Sequence, residues 1–271
     1  MSSLVSTPAA ALSPCIGICK LGRDGLCVGC LRTGEEIASW AQLDNAQRLR
    51  IMQEDLPARW PPMRDDLHTL LPELAALRRA LHPLDGLPPG QGWNVAELAD
   101  LLPPGEPVDA AVLAGLVPRP AGTTVLLTRR NDGLRNHAGQ VSFPGGRVDP
   151  GDADVIAAAI RETGEEIAIP PRQLQPLGYL DPFVTVSGFR VVPVVAVIDP
   201  GYEAFPNPGE VAEVFEVPLD YLMDHQTLRH VTYDWKGRPR TVLEYDWPGQ
   251  RIWGATASIL YNLRQRLEAT A

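Results

Sequence analysis

Three glutamates lie close together in a stretch of the chain whose residue pattern indicates a helix. Glu162, Glu165 and Glu166 are spaced i, i+3 and i+4, so on a helix their carboxylates share one side and repel one another. A hard divalent cation would turn this repulsion into attraction, and ligation by oxygen alone suits magnesium or manganese rather than zinc. Arg161 precedes the group and is able to orient one carboxylate through a bidentate contact. The alternative interpretation is a solvated acidic helix face.

The loop before this helix concentrates positive charge in an otherwise acidic chain. Its arginines are Arg129, Arg130, Arg135 and Arg147. Gly145 and Gly146 follow in the same loop and allow the backbone to approach a ligand closely. Hydrolysis of a pyrophosphate needs cations for its oxygens and a metal that polarises phosphorus and activates water. Each arginine by itself is open to the alternative of a surface ion pair, whereas the combination favours a pyrophosphate site.

The elements that must position these groups follow from hydrophobic periodicity. A helix is predicted over 153–167 with Asp152 as its N-cap, an apolar stripe toward the core and the glutamates roughly opposite. Strands are predicted over 110–117, 123–128, 175–180, 191–197 and 213–218, and a closing helix over 255–267. Strands and helices do not alternate regularly, which favours an α/β sandwich with a mixed sheet over a doubly wound fold.

Two sets of residues carry a family resemblance. The run Gly145-Gly-Arg, followed by Arg161-Glu-Thr-Gly-Glu-Glu166, resembles the Nudix box. The upstream pattern Leu-Leu-Thr-x-Arg-x4-Arg-x3-Gly-x3-Phe-Pro-Gly-Gly and the downstream segments 186–195 and 253–260 resemble the coenzyme A pyrophosphatase branch of the Nudix hydrolases. The resemblance covers about 109–267 and implies the Nudix α/β/α sandwich with a mixed sheet.

The resemblance also implies roles for individual residues. Glu162 and Glu166 would be metal ligands, Glu165 a further ligand or the base that deprotonates water, and Arg161 the group that orients a glutamate. Glu210 resembles the extra loop carboxylate that some relatives use, with a surface role as the alternative. The residues expected to contact substrate are Arg130, Arg135, His137, Gln140, Gly145, Gly146 and Arg147. Asn131 departs from the small residue usual at its position.

By resemblance, the reaction is magnesium- or manganese-dependent hydrolysis of coenzyme A, and of its thioesters, to 3′,5′-ADP and 4′-phosphopantetheine or its acyl form. A first alternative is hydrolysis of another nucleoside diphosphate derivative. A second is a metal- or redox-sensing protein that uses the fold as a ligand-binding module. The presence of all three glutamates favours an enzyme, because in a site that no longer binds a catalytic metal the three carboxylates would only repel one another.

All four cysteines of the chain lie near its start, in the pattern Cys15-x3-Cys19-x7-Cys27-x2-Cys30. Four clustered thiolates predict a zinc or iron–sulfur site, with buried or disulfide-linked cysteines as the alternative. Capped helices are predicted over 33–40 and 44–54. The segment resembles a small uncharacterised bacterial family predicted to bind an iron–sulfur cluster or zinc.

The domain organisation follows from these observations. We expect a disordered lead-in over 1–12, a four-cysteine metal-binding domain over 13–61, a helical and Pro/Gly-rich linker over 62–107, and a Nudix domain over 108–271. The net charge of −9 and pI of about 5.1 argue against broad nucleic-acid or anionic-membrane binding. No apolar run approaches the roughly 20 residues of a membrane span. A small-molecule substrate and a cytoplasmic location are therefore expected, and a protein partner is left open.

Overall fold

The computed structural model describes residues 12–15, 19–22, 24–27, 29–59, 70–235 and 238–270. The chain divides into two compact units, Met1–Pro61 and Pro62–Ala271. Apart from Leu12, the lead-in expected over 1–12 lies outside the described residues. Among the helices that are described, none is both long and apolar enough to cross a membrane.

The first unit contains two short capped helices, as the sequence predicts. Helix α1 (Gly34–Ser39) begins after Thr33, which forms a capping box with Glu36, and a 3-10 turn follows it. Helix α2 (Asn45–Arg50) begins after Asp44 and continues through a π-helical turn to Ala58. The carboxylate of Glu36 accepts two hydrogen bonds from Arg59, of 2.6 and 2.7 Å. This ion pair ties the end of the unit back to its first helix.

The second unit is built on a mixed sheet, which in the described residues has eight strands. The strands are β1 (Val108–Arg119), β2 (Gly122–Arg130), β3 (Val141–Ser142), β4 (Gly145–Arg147), β5 (Leu174–Tyr179), β6 (Phe183–Val184), β7 (Phe189–Ile198) and β8 (Val211–Pro218). The main order is β3-β2-β1-β7-β5, with β4 beside β1, β6 beside β7 and β8 beside β2. The pair β1–β7 is parallel and the other pairs are antiparallel. The predicted mixed sheet is confirmed.

Helices cover both faces of this sheet. They are α3 (Leu74–Ala80), α4 (Val95–Leu98), α5 (Val155–Ile167), α6 (Leu219–Met223) and α7 (Ala255–Ala269). Side chains of a strand alternate between its two faces, so Ala111 and Leu113 of β1 pack with α5, while Ala110 and Ala114 share a second core with α3 and α7. The result is the three-layered α/β/α sandwich expected from the sequence.

The structure corrects the interpretation of 62–107 as a linker. Leu71, Leu74 and Leu77 are fully buried in the same core as α7. Farther along, the side chain of Asn94 donates to the carbonyl of Val184 over 2.8 Å and accepts from its N–H over 2.9 Å. The described part of this segment is therefore a structural part of the second unit. The proline and glycine residues that indicate a linker instead form turns between segments that pack on the second unit.

A second sheet was missed by the sequence analysis. Strands β9 (Leu228–Trp235), β10 (Arg238–Trp247) and β11 (Gln250–Trp253) form an antiparallel meander. Tyr245 and Ile252 of this meander are fully buried in the core that contains α7. Many of the other side chains are polar and exposed, which obscured the alternating pattern typical of strands.

Candidate active site

The glutamate-bearing helix α5 begins two residues later than predicted. Its N-cap is Asp154, whose carboxylate accepts a hydrogen bond from the backbone N–H of Ala157 over 2.8 Å. The assignment of Asp152 as the cap is therefore wrong. The helix ends at Ile167, followed by Ala168 in a left-handed conformation with φ of 61°.

Asp152 instead forms a bidentate ion pair with Arg161. Both of its carboxylate oxygens accept from the guanidinium over 2.9 Å, and this contact holds the pKa of Asp152 below its usual range. Nη1 of Arg161 also donates to Glu162 over 2.9 Å and to Glu165 over 3.2 Å, and Nη2 donates to the carbonyl of Arg147 over 3.0 Å. One guanidinium thus connects the loop, the helix and two of the three glutamates.

Glu166 is buried, with 4% of its surface exposed. The helix periodicity instead predicts a position for Glu166 roughly opposite the core. Its Oε2 accepts a hydrogen bond from the backbone N–H of Gly145 over 3.3 Å. Burial raises the pKa of Glu166 to about 8; the nearby charges of Glu162 and Glu210 add to the increase, while Arg130 and the N–H of Gly145 oppose it. A buried carboxylate of this kind requires a positive partner when it is ionised.

Two glycines let strand β4 lie against this helix. Gly145 has φ of 153°, and a Cβ at this position would lie 2.3 Å from the carbonyl oxygen of Ala111. A Cβ at Gly146 would lie 2.5 Å from the carboxylate carbon of Glu162. Any side chain at either position would collide with the sheet or with a glutamate. The structure shows this backbone close to the sheet and to Glu162, and its close approach to a ligand stays a prediction.

The loop that carries Glu210 is anchored at both of its ends. At one end, the N–H of Asn207 donates to the carbonyl of Glu166 over 2.7 Å. At the other end, the N–H of Asn131 donates to the carbonyl of Glu210 over 2.8 Å. The charge of Glu210 contributes to the raised pKa values of Glu162 and Glu166, although burial is the larger cause for both. The structure therefore brings Glu210 to the helix glutamates. No sequence pattern indicates Asn207 or Asn131 as an anchor, because their partners are distant in the chain.

The loop arginines take different positions. Nε of Arg130 is buried and has no hydrogen-bond partner among the described residues, and Arg130 is the positive charge that acts on Glu166. Arg129 is paired with Asp132 over 2.9 Å. The guanidinium of Arg147 lies over the ring of Phe189, 5.2 Å from its centre. Arg130 is thus the arginine whose charge acts on the buried glutamate.

The segment between β2 and β3 contains the remaining predicted substrate residues. Arg135 is exposed. His137 adopts a left-handed conformation with φ of 57°, and its Nδ1 lies 3.0 Å from Oε1 of Gln140. This pair orders the loop internally. Among the described contacts, none joins these three side chains to the glutamates.

Each of the two units contains a segment that matches a known protein family. Residues 13–60 match a protein family of unknown function, DUF1289, and residues 108–236 match the NUDIX domain family. An uncharacterized Nudix hydrolase NudL of Photorhabdus laumondii is 42% identical over 151 residues, which are 56% of this chain and 79% of the relative. A second protein of that name, from Pectobacterium atrosepticum, is 45% identical over 140 residues, covering 52% and 73% of the two chains. The chain belongs to the Nudix hydrolase family.

Solved Nudix hydrolase structures are also similar to part of the chain, whose second unit, Pro62–Ala271, is called the Nudix unit below. The crystal structure of the Nudix hydrolase RenU from M. Smegmatis has 25% sequence identity and a TM-score of 0.37, over 43% of this chain and 73% of that one. The family membership confirms the Nudix part of the sequence resemblance, and the coenzyme A branch stays a prediction. It makes the Nudix unit a hydrolase of small-molecule nucleotide substrates, and the names of the relatives do not specify which substrate.

The donor set of the Nudix unit fits a hard divalent cation. Carboxylate oxygens are the ligands that magnesium and manganese prefer, and Glu162 and Glu166 both have pKa values raised chiefly by burial. Within the described part of the chain, however, no three Asp, Glu, His or Cys side chains converge as a ready metal-binding group. Glu162 and Glu165 point to Arg161 instead. Binding of one metal ion by all three glutamates therefore requires their carboxylates to move closer together than they lie here.

The cysteines of the first unit fall into two pairs. Cys15 and Cys19 are exposed, whereas Cys27 and Cys30 are buried. Nε of Arg32 donates to Sγ of Cys30 over 3.2 Å. Burial raises the pKa of Cys19, and the charges of the other three cysteines raise it further. The four thiols are thus close enough to interact electrostatically, but metal binding by them stays a prediction.

Proposed function

We propose that the Nudix unit hydrolyses the pyrophosphate bond of coenzyme A, and of acyl-coenzyme A, with magnesium or manganese. One observation carries the proposal. The buried carboxylate of Glu166 lies against the N–H of Gly145 and within the electrostatic reach of Arg130. A carboxylate group for a metal and a cation for a phosphate are thereby held at one end of helix α5, as hydrolysis of a phosphoanhydride requires.

The proposed ligands of the divalent cation are Glu162 and Glu166, with Glu210 as a loop ligand and Glu165 as a further ligand or the base that deprotonates water. When bound, the cation polarises phosphorus and lowers the pKa of a water molecule. The oxygen of water then bonds to one phosphorus, and the bond from that phosphorus to the bridging oxygen breaks. The products are 3′,5′-ADP and 4′-phosphopantetheine, so the added water accounts for all atoms.

Two residues would prepare the site for this step. The side chain of Glu165 is 45% exposed, so it is the helix glutamate most accessible to water and, in this proposal, accepts the proton of the attacking water. Arg161 is fixed by Asp152. It would hold Glu162 and Glu165 near their working positions before metal and substrate enter, which reduces the reorganisation that binding requires.

The choice of coenzyme A is supported by the arginine loop. Coenzyme A carries a 3′-phosphate in addition to its pyrophosphate, and the loop supplies three cations that are proposed to bind substrate, Arg130, Arg135 and Arg147. This is more positive charge than a metal-neutralised pyrophosphate requires. The motif resemblance of the same loop to the coenzyme A pyrophosphatase branch supports the same substrate.

The test is to incubate the purified full-length protein with coenzyme A and magnesium or manganese, and to follow the products by mass spectrometry. We expect 3′,5′-ADP from the wild type and from Glu97→Gln, which removes an exposed carboxylate on α4. We expect a loss of several orders of magnitude in Glu166→Gln. Cleavage of ADP-ribose or a dinucleotide, with coenzyme A left intact, would show that the substrate is wrong and the hydrolase reaction right.

For the first unit, we propose that Cys15, Cys19, Cys27 and Cys30 together bind zinc or an iron–sulfur cluster. Support comes from the spacing of the cysteines and from the mutual effect of their charges on Cys19. Exposed Cys15 and Cys19 would have to close over the buried pair to complete a four-thiolate site.

A further inference from the structure

Strands β2 and β8 lose their regular register where they approach the site. Arg129 pairs with Glu213, but the next residue, Arg130, pairs with Val211, so that Ala212 has no partner in the ladder. Such a bulge redirects the side chains next to it. Here it lies next to the pair formed by Arg130, whose charge acts on Glu166, and Val211, which follows Glu210 in the chain.

Asn131, the residue after Arg130, contacts the Glu210 loop at two points. Its backbone N–H donates to the carbonyl of Glu210 over 2.8 Å. Its side-chain Nδ2 donates to the carbonyl of Pro208 over 2.6 Å. The Oδ1 atom of the same side chain accepts from the N–H of Gly133 over 2.8 Å and so fixes the orientation of the amide. All three polar groups of Asn131 that define this geometry are satisfied.

Hydrogen bonds within the Glu210 loop also leave the backbone of Glu210 little conformational freedom. The carbonyl of Asn207 accepts from the N–H groups of Glu210 and Val211, over 2.9 and 2.8 Å, and its own N–H is bonded to Glu166. The loop is therefore one tight turn held between the end of α5 and Asn131. Loss of either attachment would allow the Glu210 carboxylate to move relative to the helix glutamates.

We infer that Asn131 is a positioning residue that sets the place of Glu210 in the divalent-metal site through its amide contact to Pro208. This inference rests on the proposed function, in that it takes Glu210 as a metal ligand. In this inference Asn131 acts through the Glu210 loop and is not itself a ligand of the metal. Its contribution is to keep the fourth carboxylate near the other three before the metal binds, which lowers the ordering cost of binding.

The experiment uses the full-length protein without substrate, so a wrong substrate assignment does not affect it. Amide hydrogen exchange of residues 207–211 is measured in the metal-free protein, and Mn²⁺ affinity is measured by electron paramagnetic resonance. We expect Asn131→Ala to speed the exchange of this segment and to weaken Mn²⁺ binding by about fivefold each, the factor of one net hydrogen bond. Exchange in α5 stays unchanged, which separates a positioning effect from general destabilisation.

Two further variants test whether the contact to Pro208 is the one that matters. Asn131→Asp keeps an acceptor for Gly133 but lacks the donor to Pro208, so we expect it to behave like Asn131→Ala. If Asn131→Asp behaves like the wild type, the inference is overturned and the residue serves only its own turn. Asn136→Ala is the matched control, because Asn136 lies in the same loop, is exposed and has no polar contact among the described residues.

A double-variant cycle links Asn131 to Glu210. Glu210→Gln is expected to weaken Mn²⁺ binding by itself, and Asn131→Ala is expected to add nothing in that background. Fully additive losses would overturn the inference, since Asn131 would then act by another route. An unchanged Mn²⁺ affinity in Glu210→Gln would overturn it as well, because Glu210 would not be a ligand, while hydrolysis by the remaining glutamates would still be measurable.

Discussion

Asp152 and Arg161 form a two-point ion pair at the start of the glutamate helix, with both oxygens of the carboxylate 2.9 Å from the guanidinium. The pair is largely shielded, because the Asp152 side chain is only 6% exposed. Since Arg161 also contacts Glu162 and Glu165, the position of two glutamates depends on a residue outside the helix.

Neutralising this carboxylate should therefore impair catalysis without touching a metal ligand. We expect Asp152→Asn to lower kcat by about 10- to 100-fold, the usual cost of losing a partner that orients a metal ligand. Steady-state kinetics at saturating metal measure this loss. Asp149→Asn is the control, because Asp149 is 63% exposed and 3.8 Å from the same guanidinium. Equal losses in both variants would contradict the role assigned to Asp152.

Adding one methyl group to strand β4 should displace Glu162. A Cβ at Gly146 would lie 2.5 Å from the Glu162 carboxylate, so we expect Gly146→Ala to lower activity by about 100-fold, as a shift of about 1 Å in a catalytic group does. Activity assays and thermal unfolding are measured together. Gly151→Ala should leave both unchanged, because no atom lies within 4 Å of its Cβ. A fully active Gly146→Ala would argue that Glu162 need not occupy this position.

A glycine one residue earlier should respond differently. At Gly145 the obstacle is the backbone of Ala111 and the φ is 153°, so Gly145→Ala strains the sheet itself. We expect a lower melting temperature for this variant, in contrast to Gly146→Ala, whose flexible neighbour can move away. Differential scanning calorimetry of the two metal-free variants makes the comparison, and equal melting temperatures would contradict it.

Asp181 gives the fold a stabilising contribution that depends on pH. Its carboxylate is paired with His82 at 2.7 Å and with Arg266 and Asn262 at 2.9 Å. Partial burial raises its pKa, but these contacts outweigh burial and hold the pKa below its usual value. An acid with a lowered pKa stabilises the fold above its unfolded-state pKa, and this stabilisation is lost as the pH falls through the folded-state pKa.

We accordingly expect Asp181→Asn to lower the free energy of unfolding at pH 7 by about 2 kcal/mol, the order of a hydrogen bond to a charged group. The difference from the wild type should shrink as the pH falls from the usual aspartate pKa of about 3.9 through the lower folded-state pKa, where the wild-type carboxylate becomes protonated. Urea titrations at several pH values measure this. Asp85→Asn, at an exposed position, should show no such trend, and a difference independent of pH would contradict the assignment.

The four-cysteine prediction is tested by metal content. We expect the purified protein to hold about one zinc ion, or the iron of one cluster, as typical four-thiolate sites do. The double variant Cys27→Ser/Cys30→Ser should lose this metal while Mn²⁺ binding by the Nudix unit persists. Elemental analysis after anaerobic purification distinguishes zinc from iron. A wild-type protein free of both metals would contradict the prediction.

The glutamate motif could be found from the sequence because its geometry is local. Glu162, Glu165 and Glu166 are neighbours on any helix, and Arg161 lies beside them in the chain. The apolar runs of β1, β2 and β7 likewise identify strands without knowledge of their partners. These local features were sufficient to predict the α/β sandwich and the family.

Other features depend on contacts between distant parts of the chain. Asn131 and Pro208 are 77 positions apart, and no periodicity relates them, so the anchoring of Glu210 could not be derived from the sequence. The same holds for the packing of 71–81 into the core and for the polar meander β9–β11. The burial of Glu166 likewise depends on which parts of the chain pack against helix α5.

The sequence by itself thus determined which chemical groups the site contains, because their types and spacing are written in one segment. The tertiary structure decided which carboxylate is buried, which aspartate holds Arg161 and where Glu210 lies. These properties follow from packing and long-range hydrogen bonds, whose free energies depend on which surfaces meet rather than on which residues follow one another.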